Sequence, residues 1–269
     1  MSYFFSSADR GLAARLEAAE AANIAAITRS VAESTGDAAF EEFAGGTAVF
    51  AGVGSPMTHA LGIGMRGSVA ENEMERMEAF FRDRGSACLI DLCPMADASV
   101  IAFVQSRPYR IIEFNNVMAR GIQRNEEFAP AAGVRSIAGS EAALWGRVVS
   151  EGFAEYMPVT EETVNLMTAA CKANQCWLAG DEQNGSPPVA GAAMNVQDNV
   201  ALFSGDASLI QARRKGWQTA LIRARLAAAQ RQGCDLAMVS VLPGSTSHRN
   251  YERAGFQLIY MRVNLMREF

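Results

Sequence analysis

A-S-L-I-Q-A-R-R-K-G-W-Q-T-A (207–220), followed at 250–256 by N-Y-E-R-A-G-F, decides the reading of this chain. The first stretch runs from a strand pattern into a basic, Gly-containing turn that opens a long amphipathic pattern. The first amides of a helix lack intrahelical partners and carry partial positive charge, so such a turn suits phosphate. Arg213, Arg214 and Lys215 crowd this turn. Gly216 lacks a Cβ and admits close approach, and Thr219 offers a hydroxyl. The competing reading is a solvated basic turn ahead of a surface helix.

Working outward, the spacing predicts strands over 134–138, 176–180, 189–196, 200–209, 236–242 and 256–265. Helices are expected over 140–153 with Ser140 as cap, from Thr160 to about Cys171, over 216–232 and over 245–254. In the 216–232 helix Leu221, Ala224 and Ala228 face a sheet, while Arg223, Gln230 and Arg231 point to water. N-G-S-P-P (184–188) reads as a turn, and Gly233 stops its helix. The order is βααβββαβαβ, a mixed α/β layer structure. Q-R-N-E-E-F-A-P-A-A-G-V (123–134) reads as a linker, which sets expected domains of 1–126 and 132–269.

The first half repeats the later part of this order. C-L-I-D-L-C-P-M-A-D-A-S (88–99) resembles L-A-M-V-S-V-L-P-G-S-T-S (236–247), and R-P-Y-R-I-I-E-F (107–114) resembles A-G-F-Q-L-I-Y-M (254–261). A period this long indicates duplicated domains, not a solenoid. A helical pattern covers 12–34, strands are expected over 47–53 and 60–65, and a helix over 70–84. The copies are unequal. Glu71, Glu73 and Glu75 crowd the start of the 70–84 helix, which repels an anion, and the position matching Tyr251 is Val104.

Arg213-Arg214-Lys215-Gly216-Trp217-Gln218 resembles the Gln/Arg-x-x-Gly-x-Gly/Ala signature of the GNAT superfamily of acyl-CoA N-acyltransferases. Gln218 stands where the family has a second Gly or Ala. Tyr251, four residues before Gly255-Phe256, matches a second family element. The resemblance covers 134–269. It implies two GNAT-like domains in an α/β (α+β) fold, each a mixed, mostly antiparallel sheet flanked by helices, the N-terminal copy degenerate. It implies an N-acetyltransferase that moves an acetyl group from acetyl-CoA to an amine by direct attack. It also implies a V-shaped opening between the 201–209 and 236–242 strands, with pantetheine along Ala207, Ser208 and Leu209. The resemblance implies that a backbone N–H near Leu209 polarises the thioester carbonyl. On this resemblance Tyr251 is expected as the general acid for the leaving thiolate; its alternative is a residue that fills a helix end. The cofactor-binding set is Ala207, Ser208, Leu209, Arg213, Arg214, Lys215, Gly216, Trp217, Gln218, Thr219 and Asn250. Asn250 and Ser247 otherwise serve as helix caps, and Trp217 as a packing residue.

The base for the amine is left open among Asp206, Glu155, Glu252 and a water chain. Asp206, nearest the thioester strand, is the catalytic candidate; its alternative is a solvated strand-end carboxylate. His248 reads as a surface residue and His59 as a turn or core residue. A non-catalytic acyl-CoA-binding or sensor protein is the competing function.

The 269 residues carry a net charge of -5, with 49% hydrophobic and 20% charged residues. This suits a soluble globular chain without the global basic field that favours nucleic acid. No apolar run reaches the ~18–20 residues of a membrane span. M-S-Y-F-F-S-S-A-D-R lacks a secretory pattern, and the odd set of Cys88, Cys93, Cys171, Cys176 and Cys234 fits reduced thiols in a cytoplasm. Cys171 and Cys176 have no nearby His, so no metal is expected. The family resemblance implies a small-molecule or peptide amine as acceptor, and a monomer or homodimer is expected.

Overall fold

The computed structural model describes residues 9–129, 131–181 and 185–269. Expectations on residues 1–8, Pro130 and Asn184 lie outside this range. The first elements are α1 (Arg10–Thr35), β1 (Ala39–Phe43), β2 (Gly46–Phe50), β3 (His59–Leu61), α2 (Glu71–Arg82), β4 (Cys88–Leu92), α3 (Ala98–Gln105) and β5 (Arg110–Gly121). Then follow β6 (Val134–Ser136), α4 (Ala142–Gly152), α5 (Glu161–Lys172), β7 (Gln175–Ala179), β8 (Ala190–Gln197) and β9 (Val200–Ser208). The chain ends with α6 (Trp217–Arg231), β10 (Leu236–Val241), α7 (Thr246–Arg253) and β11 (Gln257–Arg267). Among the described residues no helix is long and apolar enough to cross a membrane.

Two compact units emerge. One comprises 9–118, Val241–Pro243 and Leu258–Phe269; the other comprises Ala119–Ser240 and Gly244–Gln257. This division differs from the expected one, because the C-terminal strand belongs with the first unit.

In the first unit the strands run in the order β1-β2-β3-β4-β11-β5. β3 and β4 are parallel, while β1/β2, β2/β3 and β4/β11 are antiparallel. Asp9 caps α1 by accepting from the Leu12 N–H at 2.7 Å, and left-handed Gly36 closes it. Phe43, Met74, Met77, Phe81, Ile90, Val100 and Leu265 fill the core between sheet and helices. β1 was not anticipated: A-F-E-E-F exposes three residues in succession and shows no alternation.

In the second unit the order is β10-β9-β8-β7-β6, with β9/β10 parallel and the other pairs antiparallel. Its element order is the expected one as far as α7; the expected last strand, β11, belongs with the first unit. Trp145, Val148, Val149, Met167, Leu178 and Ala207 form the core under α4 and α5. Gly152 lets α4 approach β9 closely, since a Cβ there would lie 2.7 Å from that of Ala207. Thr160 caps α5 through the Thr163 N–H at 3.1 Å, as expected. Ser140 does not cap α4; it lies in a 3-10 turn, where the Glu141 carboxylate accepts from the Ala138 N–H at 3.1 Å. The expectation for Gln230 also needs correction. Gln230, expected in water, donates to the carbonyls of Gln123, Arg124 and Glu126, and so fastens that segment to α6.

Candidate functional site

β9 and β10 pair from Val200↔Leu236 to Phe203↔Val239, and β9 then runs on to Ser208. The two strands therefore part beyond Phe203. Along its other edge β9 pairs with β8, and there Gly205 and Asp206 oppose Ala192 alone. This is a β-bulge, with the extra residue supplied by Gly205 at φ 63°. The bulge turns the Asp206 side chain and the following backbone toward the parting. The Leu209 N–H, expected as a donor, is instead taken by the Val189 carbonyl at 2.9 Å. Backbone groups alternate sides along an antiparallel strand, so the neighbouring Ser208 N–H faces the parting edge.

After β9 the chain makes a short 3-10 turn and enters the basic loop. Arg214 has φ 63° and Gly216 φ 84°, so two left-handed residues turn the backbone before α6. No side chain caps α6, and the first bond into it is Ala220 N–H to Gly216 O at 3.0 Å. The space beside the Gly216 Cα is open. Arg214 and Lys215 are exposed, which leaves uncapped amides and two cations together at a helix start. Arg213 turns inward instead. It donates to Ser208 O at 3.4 Å and to Gly152 O at 3.3 Å, and pairs with Glu155, so it braces the loop. Trp217 lies against Gly133. Gln218 donates to Ser247 Oγ at 2.8 Å and accepts from Asn250 Nδ2 at 2.7 Å, tying the starts of α6 and α7 together. Ser245, not Ser247 or Asn250, caps α7 by accepting from the His248 N–H.

At the parting lies a buried triad. Tyr251 and Arg225 have no exposed surface. The Tyr251 hydroxyl donates to Asp206 Oδ2 at 2.8 Å and accepts from Arg225 Nη2 at 3.2 Å. Arg225 grips both Asp206 oxygens and lies 4.4 Å from the Phe203 ring centroid. Asp206 is thus enclosed and ion-paired, unlike the solvated strand-end carboxylate. Burial pushes the Tyr251 phenol well above its ordinary pKa and Asp206 adds to that, while Arg225 opposes it. Glu155 is occupied by Arg213, and Glu252 stands 3.6 Å from His248.

No family model matches the sequence, and no curated protein matches it. Solved structures do. A GCN5-related N-acetyltransferase from Kribbella flavida superposes with TM-score 0.59 at 17% identity, over 91% of this chain and 96% of its own. One from Sphaerobacter thermophilus gives 0.58 at 15%, over 95% and 93%. A tandem GNAT protein from the clavulanic acid biosynthesis pathway gives 0.56 at 14%, over 96% and 94%. The chain has the GNAT fold.

In this GNAT fold the second unit brings Tyr251, Asp206, the bulge and the basic loop into one region. Arg225 is the member that sequence reading missed. Its signal was there: it shares a helix face with Leu221 and Ala228, where a charge is out of place. The first unit has the same parallel pair in β3/β4, but α2 opens with Glu71 and Glu73. Arg107 pairs with Glu71 and Glu75. His59, expected in a turn or in the core, lies in β3, largely buried, with its Nδ1 3.2 Å from Asp91 Oδ2. Among the described residues no group of three or more His, Cys, Asp or Glu could hold a metal ion, and all five cysteines are buried and form no disulfide.

Proposed function

We propose that the chain is an N-acetyltransferase that moves an acetyl group from acetyl-CoA to a small-molecule or peptide amine. The observation that carries this is the parting of β9 from β10 beside an uncapped, basic helix start. Phosphate charge suits the amides from Arg214 to Thr219 with Arg214 and Lys215, and Arg213, Trp217 and Gln218 hold the loop. The pantetheine amides suit the β9 edge at Ala207–Leu209, where the Ser208 N–H is the donor available to a developing oxyanion. Asn250 supports the loop through Gln218. The amine nitrogen attacks the thioester carbon, the tetrahedral adduct collapses, and the C–S electron pair leaves on sulfur. Tyr251 supplies the proton that converts thiolate to thiol. The amine's proton leaves to solvent, so no net proton is gained. In this reading the first unit is a degenerate copy. The protein acts in the cytoplasm, as a monomer or homodimer, without metal, nucleic acid or membrane.

A second reading, a non-catalytic acyl-CoA-binding protein, is favoured by one feature: the Tyr251 proton already points at Asp206. Calorimetric titration with acetyl-CoA separates the cases when run beside thiol-release assays. One site per chain, lost in Gly216→Glu, with thiol release on adding amines, is the expected result. Binding without release with any amine supports the second reading. No binding removes both.

A further inference from the structure

We propose that Arg225 is the positioning residue that lets Tyr251 release its proton beside the Asp206 side chain that Arg225 pairs with, an inference that rests on the acyl-transfer reading above. Its guanidinium uses every donor: Nε to Leu221 O at 3.2 Å, Nη1 to Ala193 O at 3.1 Å, Ser204 O at 3.4 Å and Asp206 Oδ2 at 2.9 Å, and Nη2 to Asp206 Oδ1 and Tyr251 Oη. Two of those carbonyls flank the β9 bulge. The side chain thus fixes the bulge, the carboxylate and the phenol relative to one another.

A buried ion pair is a poor stabilising device, because apolar residues of the same volume avoid the desolvation cost. The chemistry supplies a better reason. When the C–S bond breaks, the thiolate takes the Tyr251 proton and the O–H electron pair stays on the phenol oxygen. That leaves a phenolate within hydrogen-bond reach of the Asp206 carboxylate, two anions in a dry site where repulsion is strong. Arg225 touches both. With it the net charge after transfer is -1 in place of -2, and the phenolate keeps a donor. The same grip occupies both Asp206 oxygens, so Asp206 acts as an acceptor that orients Tyr251, not as the amine's base. Tyr251 takes its proton back from solvent once the ammonium of the adduct has lost one.

The test uses the full chain, acetyl-CoA as donor and hydroxylamine as acceptor, with thiol release and calorimetric Kd measured together. Arg225→Met is expected to lower kcat about 100-fold while the Kd for acetyl-CoA holds. Asp206→Asn with Arg225→Met removes both charges and is expected to recover most of that loss, a coupling that a double-mutant cycle reads directly. Arg225→Met with wild-type kcat overturns the proposal. So does a double variant that binds acetyl-CoA yet stays as slow as Arg225→Met, since the guanidinium would then not act by offsetting Asp206. If Arg225→Met alone fails to fold, the double variant decides: turnover near wild type supports the proposal, and binding without turnover overturns it. A wild-type chain that does not bind acetyl-CoA refutes the acyl-transfer reading itself. One that binds but never accelerates thiol release refutes this proposal and leaves a binding protein.

Discussion

Tyr251 concentrates the residue-scale argument. Burial, then Asp206, hold its proton more tightly than in water, with Arg225 opposing. A phenol with a raised pKa stays protonated through neutral and mildly alkaline pH, so it always carries the proton an acid role needs. Its own ionisation should therefore put no alkaline fall in kcat below its ordinary value near 10. Tyr251→Phe keeps the ring against Phe203 and Phe256 and removes only the hydroxyl. The expected result is a kcat lower by about 100-fold with an unchanged Kd for acetyl-CoA. Equal losses in both, or no loss in kcat, would sink the acid role. Tyr251 was legible because its spacing to Gly255-Phe256 is local. Its partners were not, since Asp206 lies 45 residues away and Arg225 lies 26 away.

At the scale of elements, the strand β9 does more than carry residues. Its bulge is what re-aims Asp206 and frees the edge at Ser208, and it depends on Gly205. That residue has φ 63°, and an added Cβ would come within 3.1 Å of the Trp145 ring. Trp145 is held in turn by its Nε1–H bond to Ala192 O at 3.2 Å, on the strand opposite the bulge. Gly205→Ala should cost about 1–3 kcal/mol in urea unfolding, and it should weaken acetyl-CoA binding because the edge shifts. A stability loss with unaltered binding would mean the bulge only shapes the core. Element order was readable from apolar periodicity and from Gly and Pro punctuation. The bulge and β1 were not, because a single Gly in a strand and a run of exposed residues give no periodic signal.

The whole chain raises a different issue, which is what completes the first unit. The Arg262 guanidinium on β11 meets Glu17 Oε1 at 2.8 Å and Glu20 Oε2 at 2.8 Å on α1, and Tyr260 donates to the same Glu17 oxygen at 2.6 Å. Glu17 and Arg262 are buried, and they stand 245 residues apart. That separation is why a division read along the sequence assigns the last strand to the second half, whereas its contacts assign it to the first. Arg262→Met leaves the Glu17 carboxylate buried without its counter-charge, and such losses typically cost about 3–5 kcal/mol. The sign of the pH dependence follows from Glu17. Burial raises its pKa above the ordinary value, with Arg262 opposing. Removing Arg262 raises it further, so the folded state takes up a proton that the unfolded chain releases near pH 4–5 (a Glu pKa of about 4.3). Stability then falls as pH rises from that unfolded value through the raised one. The deficit of Arg262→Met relative to the natural chain should therefore be small near pH 4 and grow toward pH 8, as followed by urea unfolding. A deficit that does not change with pH would mean Arg262 contributes by filling space, and that Glu17 finds another partner when it is gone.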